Sequence, residues 1–280
     1  MLVRALAAAI ILATSALAIA APATTEKVAA KFPATQLKLY AIVYRSAQGV
    51  NGEMRVNDMP AVTFKGQGNS GSSSAIQAWL QAGTNRIDLT LDKTDGDEPI
   101  FISFHGLPAA AMPDDSNELF HVTLKKGTPP GARAYTFEIP AKQAPPTLLW
   151  KKAAVTTALT DADKKELRAL GTALLVAFQK GDTAAVHKLI TFTAEERARA
   201  TYSDSKEIFS MMESMLPEMK KTFAKAALPE ALEYTLIGGG RIVKLTTAGG
   251  KPPVSAKSDD GEAALPLSAA KIDGKWTLVP

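Results

Sequence analysis

TDADKKELRALGTALLVAFQKGD, residues Thr160 to Asp182, is the stretch whose rhythm decides the fold. Leu167, Leu170, Leu174, Leu175 and Phe178 recur at the spacing of one helix face. Thr160 with Asp163 three positions later comes close to a capping box, and Lys180-Gly181 is a stop signal. The stretch predicts a helix beginning at Asp161. Asp182 then caps a short second helix carrying Val186, Leu189 and Ile190, and Thr193 with Glu196 reads as a further capping signature. Ser205 opens a longer helix with Ile208, Met211, Met212, Met215, Met219 and Phe223, which Pro217 kinks or splits. At this spacing the methionines are expected to line a core.

On both sides of these helices the hydrophobic period is two. Residues 36–140 read as β-structure. Leu37 to Tyr44 is rich in branched and aromatic residues, and Ile87, Leu89 and Leu91 share one face of a strand. Further strands are expected at Ile100 to Phe104, Leu119 to Leu124 and Ala134 to Ile139. Asn51-Gly52 and Gly83-Thr84-Asn85 read as turns, and Gly66 to Ser74 as a Gly/Ser-rich loop. Downstream, Tyr234 and Leu236 alternate, Gly238-Gly239-Gly240 turns the chain, and Ile242, Val243 and Leu245 follow. Ala263 to Ala270 reads as one strand, and Asp273-Gly274 as the hairpin turn that delivers Trp276 to Val279.

Short strands separated by turns, with no helix between them, describe a sandwich. The fold class expected is therefore two domains. The first is an all-β sandwich over 36–140, and the second an α+β unit over 160–280 with helices packed on an antiparallel sheet. A Pro-rich linker, 141–159, joins them. Residues 21–35 form an exposed N-terminal segment.

Residues 1–20 read as a cleavable secretory signal. Arg4 provides the positive start, Ala5 to Ile19 an uncharged apolar run, and Ala18-Ile19-Ala20 small residues for cleavage after Ala20. The run is shorter than the roughly 20 apolar residues of a spanning helix, so no membrane span is expected once the signal is removed. The location expected is periplasmic or secreted. The chain has no cysteine, which excludes thiol, disulfide and cysteine–zinc chemistry. Its formal charge of +4 is interspersed, unlike the clustered Lys and Arg of a nucleic-acid binder, so no nucleic-acid partner is expected.

Gln179-Lys180-Gly181-Asp182 and Asp273-Gly274-Lys275-Trp276, set in the order three helices then antiparallel strands, resemble the NTF2-like, or cystatin-like, α+β cone. Val50-Asn51-Gly52, with Trp79 to Ile87 after a spacer, is similar to galactose-binding-like jelly rolls. The first resemblance implies a pocket between helices and sheet bearing Tyr202, Tyr234 and Trp276. The second implies a module that binds sugars or proteins, or that only packs.

Candidate chemistry is sparse. His105, His121 and His187 stand at no metal-ligand spacing, and no metal or cofactor is expected. His105 and His121 read as structural residues in or beside strands. His187, on the helix bordering the implied cone pocket, is the single candidate for catalysis, with Tyr202 or Tyr234 beside it. Asp92, Asp95, Asp97 and Glu98 around Gly96 miss the calcium-loop register and read as a solvated hairpin tip. The Gly66 to Ser72 glycines and serines lack the strand-to-helix elbow of a nucleophilic serine. These absences point to a non-catalytic binding protein of the bacterial envelope, recognising an envelope protein or a glycan. The alternatives are an acid–base enzyme acting on a small apolar ligand in the cone, and a structural envelope component.

Overall fold

The computed structural model describes residues 25–46, 49–66, 70–94, 99–108, 112–258 and 261–280. The signal-like stretch and the Asp95–Glu98 loop tip lie outside the described residues. Among the described residues the molecule is mixed α+β, with antiparallel sheets except where 25–27 runs parallel to 134–136, and all three α-helices lie in its C-terminal part.

Among the described residues the N-terminal half holds nine strands: β1 (Thr25–Lys27), β2 (Leu39–Ser46), β3 (Val50–Val56), β4 (Met59–Lys65), β5 (Ser70–Ala75), β6 (Gly83–Thr94), β7 (Ile100–Leu107), β8 (Glu118–Leu124) and β9 (Gly131–Ile139). One sheet runs β1-β9-β6-β3-β4 and the other β5-β2-β7-β8. Alternation drives both. Ile87, Leu89 and Leu91 of β6 point into a core whose other wall is Tyr40, Ile42, Ile102 and Phe104. Phe137 of the first sheet lies 4.7 Å from Phe104 and 5.0 Å from Phe120 of the second, centroid to centroid. Such aromatic clusters supply a large share of burial energy.

Several turns differ from expectation. Asn51-Gly52 is not a turn but lies inside β3, where the pairing with β6 slips between the two residues. A side chain on Gly52 would stand 2.1 Å from the Thr90 carbonyl oxygen, so glycine is there for close strand approach. The tight turn is Asn57-Asp58 (φ 50° and 67°), the left-handed pair that a two-residue hairpin needs. Gly83 to Asn85 opens β6 instead of turning. The buried Asn85 side chain donates to Gln81 and Gly83 carbonyls and accepts from the Gln81 amide, standing in for a missing strand partner. Ser70 to Ser74, within the expected Gly66 to Ser74 loop, instead belong to β5 and pair antiparallel with β2. A neighbouring strand's free edge overrode weak local propensity there.

The C-terminal half begins with α1 (Asp161–Lys180), α2 (Thr183–Thr201) and α3 (Ser205–Phe223). The α1 capping box is complete, with Thr160 and Asp163 each bonding the other's amide at 3.1 Å. Gly181 ends α1 in the left-handed conformation and Asp182 caps α2. Thr193 and Glu196 start no new helix. Helix α2 runs through them, and the Thr193 hydroxyl donates to the Leu278 carbonyl at 2.9 Å. Pro217 lies within α3, which continues through it as one helix. Met212 and Met219 pack on the core, whereas Met211 and Met215 are half exposed. The four methionines thus divide between two stripes.

The sheet behind the helices runs β10 (Glu233–Ile237), β11 (Ile242–Thr246), β14 (Leu267–Ile272) and β15 (Lys275–Leu278), beside a ribbon of β12 (Val254–Ser258) and β13 (Gly261–Leu265). The expected single strand over 263–270 is two, because Pro266 offers no donor to the ladder. Leu167, Phe178, Val186 and Ile190 pack onto Val243, Leu245 and Leu267. A third cluster joins the halves: Met59 and Trp79 meet Leu148, Trp150, Ile237, Ile242 and Val279. No helix among the described residues is long and apolar enough to cross a membrane.

Candidate functional site

The residues singled out from sequence do not share one site. His187 of α2 faces α3, with Nε2 3.2 Å from Glu213 Oε1 and its ring 4.6 Å from that of Phe209. Tyr202 ends α2 in the left-handed conformation and is exposed. Fifteen residues from His187, it stands roughly 22 Å away along the helix. Tyr234 donates to the Lys164 carbonyl at 3.3 Å, and burial raises its phenol above the ordinary range. Trp276 is buried and donates through Nε1 to Asp163 Oδ1 at 2.9 Å. Tyr234 and Trp276 therefore clamp the first turn of α1 from opposite edges of the sheet, while His187 and Tyr202 lie elsewhere.

Asp163 is the centre of that clamp. Its carboxylate accepts from Thr160, from Lys271 Nζ at 3.0 Å and from Trp276. The Thr160 hydroxyl, then Lys271 and the Trp276 indole, hold it far below the usual carboxylate range.

Two clefts gather chemistry that the sequence reading missed. The smaller, about 350 Å³, lies between the halves, beside Asp58, Trp79, Trp150, Lys151 and Gly239. Two of its charged groups are already engaged. Asp58 Oδ2 accepts from the Gly239 amide at 3.0 Å, and the Lys151 ammonium donates to the Leu80 carbonyl. Behind it, Glu196 is fully buried and accepts from the Trp150 amide at 3.1 Å. Its other oxygen stands 3.6 Å from Arg199 Nε. Burial draws the Lys151 ammonium down to about 8, against an upward pull from Glu196. This is the interior of a joint between two bodies.

The larger cleft, about 610 Å³, opens at one end of the sheet pair. Its floor is Phe32, Pro33, Leu37, Pro108 and Leu119, and Lys31, Asp114 and Asn117 edge it. The buried Gln143 holds in place the Pro33–Leu37 segment that lines one side. It donates to the Pro33 and Thr35 carbonyls at 2.8 and 3.0 Å and accepts from the Leu37 amide at 2.9 Å. The Ser116 hydroxyl and amide hold Asp114 below the ordinary carboxylate range. An apolar floor with a fixed anion, a cation and an amide at its edge is the make-up of a recognition cleft, and its volume lies within the usual ligand range. Only proline and phenylalanine at Phe32-Pro33 hinted at it, because its walls come from three distant segments.

On the outer face beside this cleft, Ser103 Oγ lies 2.7 Å from His105 Nε2, and His105 Nδ1 lies 3.0 Å from Asn117 Oδ1. No group of three or more possible metal ligands occurs among the described residues. Comparison with protein-family models, with curated proteins and with solved structures gave no match in any of the three.

Proposed function

We propose that this chain is an exported binding protein of the periplasm, and that the Phe32–Leu119 cleft takes an extended segment of an envelope protein. The export reading rests on the signal-like segment around Arg4 and Ala5 to Ile19. The fold reading behind the proposal is a jelly-roll-like sandwich joined to an NTF2-like cone. In its support, two sheets share one core and three helices precede an antiparallel sheet.

The observation that carries the binding reading is the cleft's composition. Phe32, Leu37 and Leu119 offer apolar contact, while Lys31 and Asp114 stand ready for charges of either sign. A glycan is the second class of ligand, and its selection needs stacking aromatic faces. Among the described residues Phe32 is the one aromatic that lines the cleft, which favours a peptide.

The test is to probe peptide and glycan arrays with the purified protein, then to repeat the binding with Phe32→Ala. Loss of one apolar anchor, about 1.5 kcal/mol, weakens the dissociation constant roughly tenfold. Ligands that bind the variant as tightly as the parent place recognition elsewhere, and binding to glycans alone overturns the peptide assignment.

A further inference from the structure

We infer that Ser103, His105 and Asn117 form an activated-serine relay on the outer face of the second sheet, reactive toward esters of small carboxylic acids. This goes beyond binding, and it shares with the rim of the Phe32–Leu119 cleft Asn117 and the Asp114 that holds it. Ile102 and Phe104 of β7 take the core, so the intervening Ser103 and His105 share the opposite face.

The order of the hydrogen bonds is fixed by Asn117. Its Nδ2 donates to Asp114 Oδ1 at 2.9 Å and to the Met112 carbonyl at 3.3 Å. Its Oδ1 therefore meets His105 and accepts from Nδ1–H at 3.0 Å. That tautomer leaves the Nε2 lone pair to accept from the Ser103 hydroxyl at 2.7 Å. Nucleophile, base and orienter thus stand in the sequence that serine catalysis requires. A bulge makes this possible. The β7–β8 register slips at Phe104/His105, so that His105 pairs with Glu118, and Asn117 comes within reach. Bulges re-aim side chains in this way.

Access and charge agree with the role. His105 is 4% exposed while Ser103 is only half-buried, which gives a dry base and a reachable nucleophile. Ser103 pairs directly with His121 of β8 and Val43 of β2, side chains within about 5 Å at the Cβ atoms. Arg45 stands over the Phe101 ring at 5.0 Å, on the same face. His121, whose Nδ1 meets Glu118 Oε1 at 2.7 Å, and Arg45, opposite Phe101, are the nitrogen-bearing side chains that neighbour Ser103 in register, where negative charge would develop.

In the first step Ser103 Oγ attacks the ester carbonyl carbon, and its proton passes to His105 Nε2. The tetrahedral adduct collapses with rupture of the ester C–O bond, and the departing alkoxide takes the proton from Nε2. Water then attacks the acyl-serine, giving its proton to Nε2. That proton returns to Ser103 as the carboxylic acid leaves. Esters fit better than amides, since an alkoxide is the better leaving group.

The experiment treats purified protein with a fluorophosphonate, which forms an O–P bond to serine with loss of fluoride, and follows intact mass. Expected is one adduct per chain, mapped to Ser103 and absent in Ser103→Ala. His105→Gln slows labelling by about a hundredfold or more, and Asn117→Leu slows it with Ser103 and His105 both in place. Asn117→Asp combined with Asp114→Asn, which keeps an acceptor toward His105 Nδ1 and moves the amide donor to position 114, restores it. Melting curves accompany each variant, and the Asn117 pair carries the decision if His105→Gln fails to fold. No adduct at Ser103, or labelling unchanged in the Asn117→Leu variant, overturns the assignment.

Discussion

Asp163 sits in the first turn of a helix, yet it ties that turn to two strands. Lys271 and Trp276 reach it from β14 and β15, and Thr160 bonds it from the cap. With its carboxyl held well below the ordinary range, the native state binds fewer protons than the unfolded chain in acid. Stability from this group is therefore complete above about pH 4 and is lost as pH falls below it. Melting temperature should drop more steeply from pH 4 to pH 2 in the parent than in Asp163→Asn. Parallel curves would remove Asp163 from the acid response. Gly52 makes a harder demand. A methyl group there meets backbone, not a movable side chain, so Gly52→Ala should cost about 3 kcal/mol, at the upper end of overpacking effects. A denaturant midpoint matching the parent's would show that β3 and β6 can part without penalty.

At the scale of elements, what a segment does alone was readable and what a neighbour does to it was not. The α1 capping box, the Gly181 stop and the Asp273-Gly274 turn (φ 47° and 80°) are local chemistry and stand where the residues place them. The alternation of Ile87, Leu89 and Leu91 likewise needs only one strand. By contrast Ser70 to Ala75 becomes a strand only because β2 offers an edge. Asn51-Gly52 and Asn57-Asp58 are both turn-forming pairs, and the contact with β6 decides between them. Thr193 and Glu196 resemble a cap because capping and docking use the same oxygens. Their partners, Leu278 and Trp150, are distant in sequence, as are the walls of the Phe32 cleft. Helix α2 is thus a docking element for both the connector and the last strand. Glu196→Ala strips the Trp150 amide of its acceptor and leaves the nearby cations uncompensated, at about 3 kcal/mol. Glu196→Gln keeps an acceptor, at about 1 kcal/mol. Equal losses in chemical denaturation would contradict this docking role.

Over the whole molecule the connector belongs to the interior. Leu148 and Trp150 are buried among residues from both halves, and Lys151 lies beside them with its ammonium drawn down to about 8 from 10.5. Between those values the unfolded chain holds more protons than the native one. This group's contribution to stability therefore rises as pH climbs from about 8 to about 10.5. After allowance for solvent, the rise is on the order of 1–2 kcal/mol. The stability of the parent minus that of Lys151→Met should rise across that window, and a flat difference would mean that the ammonium is not desolvated. The same cluster governs how the protein tolerates being divided. Cut near residue 155 and produced as two fragments, each piece would carry one wall of an apolar contact with nothing against it. Met59 and Trp79 would face water on one fragment, with Leu148 and Trp150 beside them, and Ile237, Ile242 and Val279 on the other. Fragments made apart should be prone to clumping, whereas fragments made together should find each other and co-purify.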